Sequence, residues 1–192
     1  MLEEEYAERR VKPFHLRRFD PPEAPFAYEI RSAQPRDLPD VREIYNHYVT
    51  NSVVTFDEDR MSLAEWKSKY AYLMRLKLPF LVAVSPSGQV LGYALCAPWN
   101  QKRAYRFTAE NSIYLRAAST GKGLGHALLG ALLDAAKQAG LKEVLAIIAD
   151  SGAEASLALH HSFGFKDTGR MGHVGFKFGH WIGTVLLQKS LK

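Results

Sequence analysis

Apolar residues recur three and four apart in two early stretches: Val41, Ile44, Tyr45 and Tyr48 within 36–51, then Leu63, Trp66, Tyr70 and Leu73. That spacing lines one face of a helix, so it predicts two amphipathic helices. A short strand is expected ahead of them, at Glu29–Ser32. The pattern then changes. "PFLVAVSPSGQVLGYALCAPW" holds two apolar runs around Pro86, Ser87 and Gly88, the composition of a hairpin turn. "RFTAENSIYLRA" supplies a third strand that runs into a glycine turn. Helical spacing returns from Gly123 to Ala139 and is stopped by Gly140. The apolar strand "EVLAIIA", a short helix over Ala155–Ser162 and two closing strands complete the chain. This order predicts an α/β fold: a mixed sheet with helices on both faces.

Residues 1–28 differ in kind. "EEEYAERR" is dense in charge and "FDPPEAPF" holds three prolines, so this part is read as an N-terminal extension ahead of one domain over 29–192. The chain has 192 residues, 47% hydrophobic and 23% charged, as suits one globular domain with a sizeable core. A net charge of +5 favours anionic small molecules, but the basic residues are scattered, and no nucleic-acid partner is expected. The single Cys96 excludes an internal disulfide and a cysteine-based zinc site, and no metal is expected. With no apolar signal core and no membrane-length run, the expected setting is the cytoplasm, without a membrane partner.

The chemistry centres on "TGKGLG", Thr120 to Gly125. Glycines at 121, 123 and 125 free the backbone of side-chain bulk, so that consecutive N–H groups and the start of the next helix can face one anion. A Walker loop needs Ser or Thr after its lysine, and Lys122 is followed by Gly123. A dinucleotide fingerprint needs a third glycine where His126 stands, although Asp150 matches its expected ribose-binding acid. Only about forty residues follow, short for a doubly wound sheet, and this alternative stays open as the weaker one.

"TGKGLG" resembles the Gln/Arg-x-x-Gly-x-Gly/Ala signature of the GNAT superfamily of N-acetyltransferases. "IYNHYV", "AYRFTAENSIYL", "ASLALHHSFGF" and "GFKFGHW" are similar, in order, to its phosphinothricin and methionine sulfone acetyltransferase branch, and the likeness covers about Glu29 to the C-terminus. Three positions depart from that pattern. Thr120 stands where Gln or Arg is usual, Ala153 where a CoA-contacting Asn is common, and His161 where Glu or Gln is common. The resemblance implies a GNAT-like, mostly antiparallel sheet and acetyl-CoA as co-substrate. Cofactor contacts are then implied at Ile113, Tyr114, Leu115, Thr120, Gly121, Lys122, Gly123, Leu124, Gly125, His126 and Ser156. The loop works mainly through backbone N–H groups, which Thr120 leaves intact.

Acetyl transfer to an amine needs a base, because the amine is protonated at neutral pH. Glu110 lies in the strand entering the turn, flanked by "FTA" and "IYL", where partial desolvation raises a carboxyl pKa, and the family places its catalytic Glu there. His160 falls where the superfamily often has a Tyr or His near the CoA sulfur, and is the candidate proton donor to the departing thiolate or proton relay. A core histidine is the equal alternative. Cys96, among apolar neighbours, is expected to be structural, so direct amine attack is favoured, with a backbone N–H of the same strand stabilising the oxyanion.

"PWNQKRAYR" gathers Lys102, Arg103 and Arg106 beside Trp99 and Tyr105, a set suited to the carboxylate and side chain of an amino acid. By family likeness this loop, Thr108, and Phe56 from "VVTF" line the substrate pocket. The expected substrate is thus the α-amino group of a small amino acid analogue. Peptide N-termini, polyamines and a catalytically silent acyl-CoA-binding module remain as alternatives. In "GFKFGHW", Gly175 and Gly179 frame a hairpin-like turn, and Phe176, Phe178 and Trp181 are expected in the core. The likeness also implies a homodimer with pockets near the interface.

Overall fold

The computed structural model describes residues 26–192. Most of the extension expected over 1–28 therefore lies outside the described residues. Phe26 and Tyr28 pack partly buried against the domain core. Eleven helices and strands follow in the expected order. They are β1 (Glu29–Ser32), α1 (Leu38–Asn51), α2 (Leu63–Arg75), β2 (Phe80–Val84), β3 (Val90–Pro98), β4 (Thr108–Leu115), α3 (Leu124–Gln138), β5 (Glu143–Ala149), α4 (Glu154–Ser162), β6 (Lys166–Lys177) and β7 (His180–Ser190).

Local chemistry sets several boundaries. Ser62 and Glu65 close a capping box at the start of α2, the Ser62 N–H donating to Glu65 Oε2 at 2.7 Å and the Glu65 N–H to Ser62 Oγ at 3.2 Å. The β2–β3 connection turns at Gly88, whose N–H donates to the Ser85 carbonyl. At the β6–β7 hairpin, Phe178 (φ +52°) and Gly179 (φ +78°) form a two-residue loop with both central residues left-handed, which matches the strand twist.

The strands form one seven-stranded sheet in the order β1-β2-β3-β4-β5-β7-β6. Every neighbouring pair is antiparallel except β4 with β5. One face carries α3, whose Leu124, Leu128, Leu129, Leu132 and Leu133 join Val144, Ile148, Val185 and Leu187 in a largely aliphatic core. The other carries α1 and α2, where Tyr45 and Trp66 meet Phe80 and Tyr93. Among the described residues, no helix is long and apolar enough to cross a membrane.

The aromatics of "GFKFGHW" depart from expectation. Phe176, Phe178 and Trp181 are 55%, 53% and 63% exposed, and so belong to the surface and not to the core. The reason is position: Phe176 lies on β6, the last strand of the sheet, Phe178 in the turn, and Trp181 opposite Phe176 at the start of β7, before its pairing with β5 begins at Thr184. Within β6, Lys177 alone is buried.

Candidate active site

The site begins where two strands part. β4 pairs with β5 only over Thr108–Glu110, opposite Glu143–Leu145, yet β4 runs on with β3 to Leu115 and β5 with β7 to Ala149. Beyond Glu110, one edge of β4 therefore faces open space instead of a strand. A cavity of about 350 Å³ fills the wedge, lined by Glu110–Leu115 of β4, Ala146–Ile148 of β5, Thr120 and Gly121, the 152–160 segment, and Tyr48 and Val54.

The glycine turn closes one end. Gly121 (φ +71°) and Gly123 (φ +78°) both take the left-handed backbone that L side chains rarely adopt, which accounts for glycine at alternate positions. Gly123 is the N-cap of α3, so the N–H groups of Leu124, Gly125 and His126 have no carbonyl within the helix to bond. With the helix dipole, this is an anion seat. Thr120 folds its hydroxyl back onto the Ala117 carbonyl at 2.8 Å. The Leu124 side chain is fully buried, so it can offer the turn only its N–H, and the His126 ring packs on Phe163 with centroids 4.4 Å apart. Lys122 sets its ammonium 4.9 Å from the centre of the Phe26 ring.

Glu110 stands at the last paired position of β4, at the apex of the wedge. Burial pushes its carboxyl pKa up, against the opposing pull of the Lys69 ammonium. Lys69, which sequence reasoning missed, rises from α2 over the Trp66 ring at 5.1 Å, and its own pKa is lowered by burial while Asp57 and Glu110 raise it. Spacing along α2 carries no signal for that meeting.

His160 has a different geometry from that of a free proton donor. It is 2% exposed, with Nδ1 2.7 Å from the Ser156 carbonyl and Nε2 2.9 Å from Asn111 Nδ2. A carbonyl only accepts, so Nδ1 carries the proton and Nε2 accepts from the amide. Both ring nitrogens are thus occupied, and burial lowers the pKa and favours the neutral ring. As placed, His160 has both nitrogens bonded and ties α4 to β4, the arrangement expected of the core-histidine alternative. Asn111, also missed in the sequence, is left with a buried Oδ1 that has no partner at the wall of the cavity.

The other candidates divide. Ile113, Tyr114, Leu115, Thr120, Gly121 and Ser156 line the cavity. The Tyr114 ring packs against Tyr45, Tyr48 and Tyr93, and burial pushes its phenol up to about 12. Phe56, Trp99, Lys102, Arg103, Tyr105 and Thr108 are not among the residues lining that cavity. Arg103–Tyr105 form a short 3-10 turn ahead of β4, with Lys102, Arg103 and Tyr105 exposed. Tyr48 had no role assigned; its hydroxyl donates to the Leu115 carbonyl at 2.8 Å and holds the end of β4. Cys96 is buried, and burial pushes its thiol up to about 12, as befits a structural residue.

The dinucleotide alternative loses its support. Asp150 accepts from the Gly183 N–H at 3.0 Å and its N–H donates to the Gly183 carbonyl, so it closes the β5–β7 pair. One parallel pair in seven strands is also not a doubly wound sheet. Among the described residues, no group of three or more His, Cys, Asp or Glu side chains is placed to hold a metal ion.

The model of the acetyltransferase (GNAT) domain matches residues 30–186. The chain is 38% identical over 165 residues to a phosphinothricin N-acetyltransferase of Alcaligenes faecalis, covering 86% of this chain and 83% of that protein. It is 40% identical over 162 residues to an L-methionine sulfoximine/L-methionine sulfone acetyltransferase of Pseudomonas paraeruginosa, covering 84% and 94%. A crystal structure of a GNAT superfamily phosphinothricin acetyltransferase from Sinorhizobium meliloti in complex with AcCoA superposes with a TM-score of 0.81 at 36% identity, covering 85% of this chain and 88% of that one. The splayed strands, the glycine turn and these likenesses agree: this chain belongs to the GNAT acetyltransferase family.

Proposed function

We propose that the protein acetylates the α-amino group of a small amino acid analogue of the phosphinothricin, methionine sulfone or methionine sulfoximine type, using acetyl-CoA. The observation that carries this reading is Glu110, a half-buried carboxylate with a raised pKa at the apex of a cleft whose other end is an anion seat. The names and identities of the relatives support the substrate class.

Acetyl-CoA supplies the activated acetyl thioester. The N–H groups at the start of α3 suit its pyrophosphate, and the free β4 edge suits the amide groups of its arm. Glu110 takes the proton from the incoming ammonium, and its raised pKa brings it nearer neutral pH, where a general base works best. Lys102 and Arg103, with Trp99, Tyr105, Thr108 and Phe56, are assigned to the acceptor's carboxylate and side chain, since their loop leads into β4 just ahead of Glu110. His160 and Asn111 position the cleft wall. We assign the exposed Phe176, Phe178 and Trp181 to a homodimer contact, because a patch of this kind marks an association surface.

The test is thiol release from acetyl-CoA against methionine sulfone, methionine sulfoximine, phosphinothricin, polyamines and peptide N-termini. Turnover confined to the amino acid analogues and lost in Glu110→Gln is the expected result. Acetyl-CoA binding without turnover on any amine would overturn it in favour of a binding module.

A further inference from the structure

The tip of the β6–β7 hairpin turns three aromatic side chains outward and one side chain inward, and that one is a lysine. Lys177 is 2% exposed. Its ammonium donates to the Ser52 carbonyl at 2.9 Å and the Thr55 carbonyl at 2.8 Å, and it lies 5.1 Å from the centre of the Phe178 ring. Ser52 is the C-cap of α1, whose last turn contains no basic residue. The helix end, where unpaired carbonyls concentrate negative charge, thus receives its cation from a residue 125 positions away.

The segment held this way is 52–57, and it touches the cleft. Val54 lines the cavity together with Glu110. Val53 packs against Gly152, ahead of α4, where an added Cβ would lie 3.3 Å from the valine methyl. The Phe56 ring packs against Gly175 so closely that an added Cβ there would clash with it. From the opposite side, the Tyr45 hydroxyl bonds Thr55 Oγ1 at 3.1 Å and donates to the Asp57 carboxylate. A loop without regular structure is therefore pinned from both flanks, by a phenol of α1 and an ammonium of the hairpin.

We propose that Lys177 is a positioning residue for the acyl acceptor: by clamping the Ser52 and Thr55 carbonyls it holds Val54 at the wall of the cleft and keeps Phe56, outside the cavity lining, in the place assigned above to the acceptor's side chain. The proposal rests on the acetyl-transfer reading of that cleft. Lys177 touches no reacting atom, and it acts through the loop. A methionine of similar length fills the same space without donating, and leaves both carbonyls unpaired.

Two readouts test it on the full chain. In Lys177→Met, KM for the amine rises by about ten- to a hundredfold, the cost of losing hydrogen bonds from a charged group, while KM for acetyl-CoA stays within about twofold. Lys177→Arg, which keeps charge and donors, recovers part of the loss. Amide hydrogen exchange of residues 52–57 accelerates in Lys177→Met, a readout that needs no turnover. Gly175→Ala, which displaces Phe56 from the other side, gives the same split in KM and covers the case in which Lys177→Met does not fold. Unchanged exchange at 52–57, or equal losses for amine and acetyl-CoA, overturns the clamp. Wild-type enzyme inactive on every amine overturns the acetyl-transfer reading and the acceptor role with it, and exchange still reports separately whether the clamp exists.

Discussion

The two faces of the sheet are packed by different chemistry. Under α3 the buried contacts are mostly leucine, valine, isoleucine and alanine, with Phe163 and Phe165 beside them. Under α1 and α2, aliphatic residues such as Leu38, Val41, Ile44 and Leu73 are joined by a group of aromatic ones, Tyr45, Tyr48, Trp66, Tyr70, Phe80, Tyr93 and Tyr114. A phenol packs like a phenyl ring and also brings one directional bond. Here two of those bonds go to structure near the site, Tyr45 to the 52–57 loop and Tyr48 to the end of β4, while Tyr70 bonds the Ala33 carbonyl beyond β1 at 3.2 Å. The aliphatic face holds the fold together, and the aromatic face also places the groups around Glu110.

The sharpest way to separate the two is to remove chemistry without volume. Glu110→Gln is expected to lower kcat by about 10²- to 10⁴-fold with the fold intact, as read by thiol release and circular dichroism. Leu132→Ala on the aliphatic face should do the opposite, costing about 2–5 kcal/mol of stability in thermal melts while the folded fraction keeps its kcat.

His160→Leu tests the boundary between them. It leaves the Asn111 amide unpaired, and a loss of about 1–3 kcal/mol is expected, with the acid limb of the pH–rate profile unmoved. A displaced acid limb would restore His160 to the proton transfer. Tyr48→Phe removes one bond to the Leu115 carbonyl and should cost about 1 kcal/mol, seen as a small shift in denaturant midpoint.

The subtlest effect concerns pH. Glu110 binds its proton more tightly folded than unfolded, because burial raises its pKa. Folding is therefore favoured with the proton on, and stability falls as pH climbs from the ordinary carboxylate range through the raised value. Activity runs the other way, since the base works only when ionised. Glu110→Gln removes the loss, so its melting temperature should exceed that of the wild type at neutral pH and converge with it in acid. A variant melting below the wild type at neutral pH would mean that the carboxylate is paired in the fold, not strained by burial.

The order of helices and strands was legible because the elements carry their own signals: a three-four repeat in α1 and α2, Pro86-Ser87-Gly88 between β2 and β3, and Gly140 after α3. The glycine turn was legible for the same reason, whereas Glu110 became a candidate only through the family resemblance, since a strand glutamate in a surface salt bridge has the same local sequence. The exposure of Phe176 and Trp181 was not, since an apolar hairpin tip that runs past its neighbouring strand has the same composition as one packed in the core. Nor was the pairing of His160 with Asn111, 49 positions apart, which gives its second ring nitrogen a partner.

By itself, then, the sequence determined the elements, their order and the chemistry available on β4 and in the turn, because those depend on residues within a few positions of each other. The tertiary structure alone decided where β4 and β5 separate, which imidazole nitrogens are free, and which lysine is buried. Each of these depends on what distant segments place opposite a group, and water, a carbonyl or a carboxylate in that place gives the same side chain a different role.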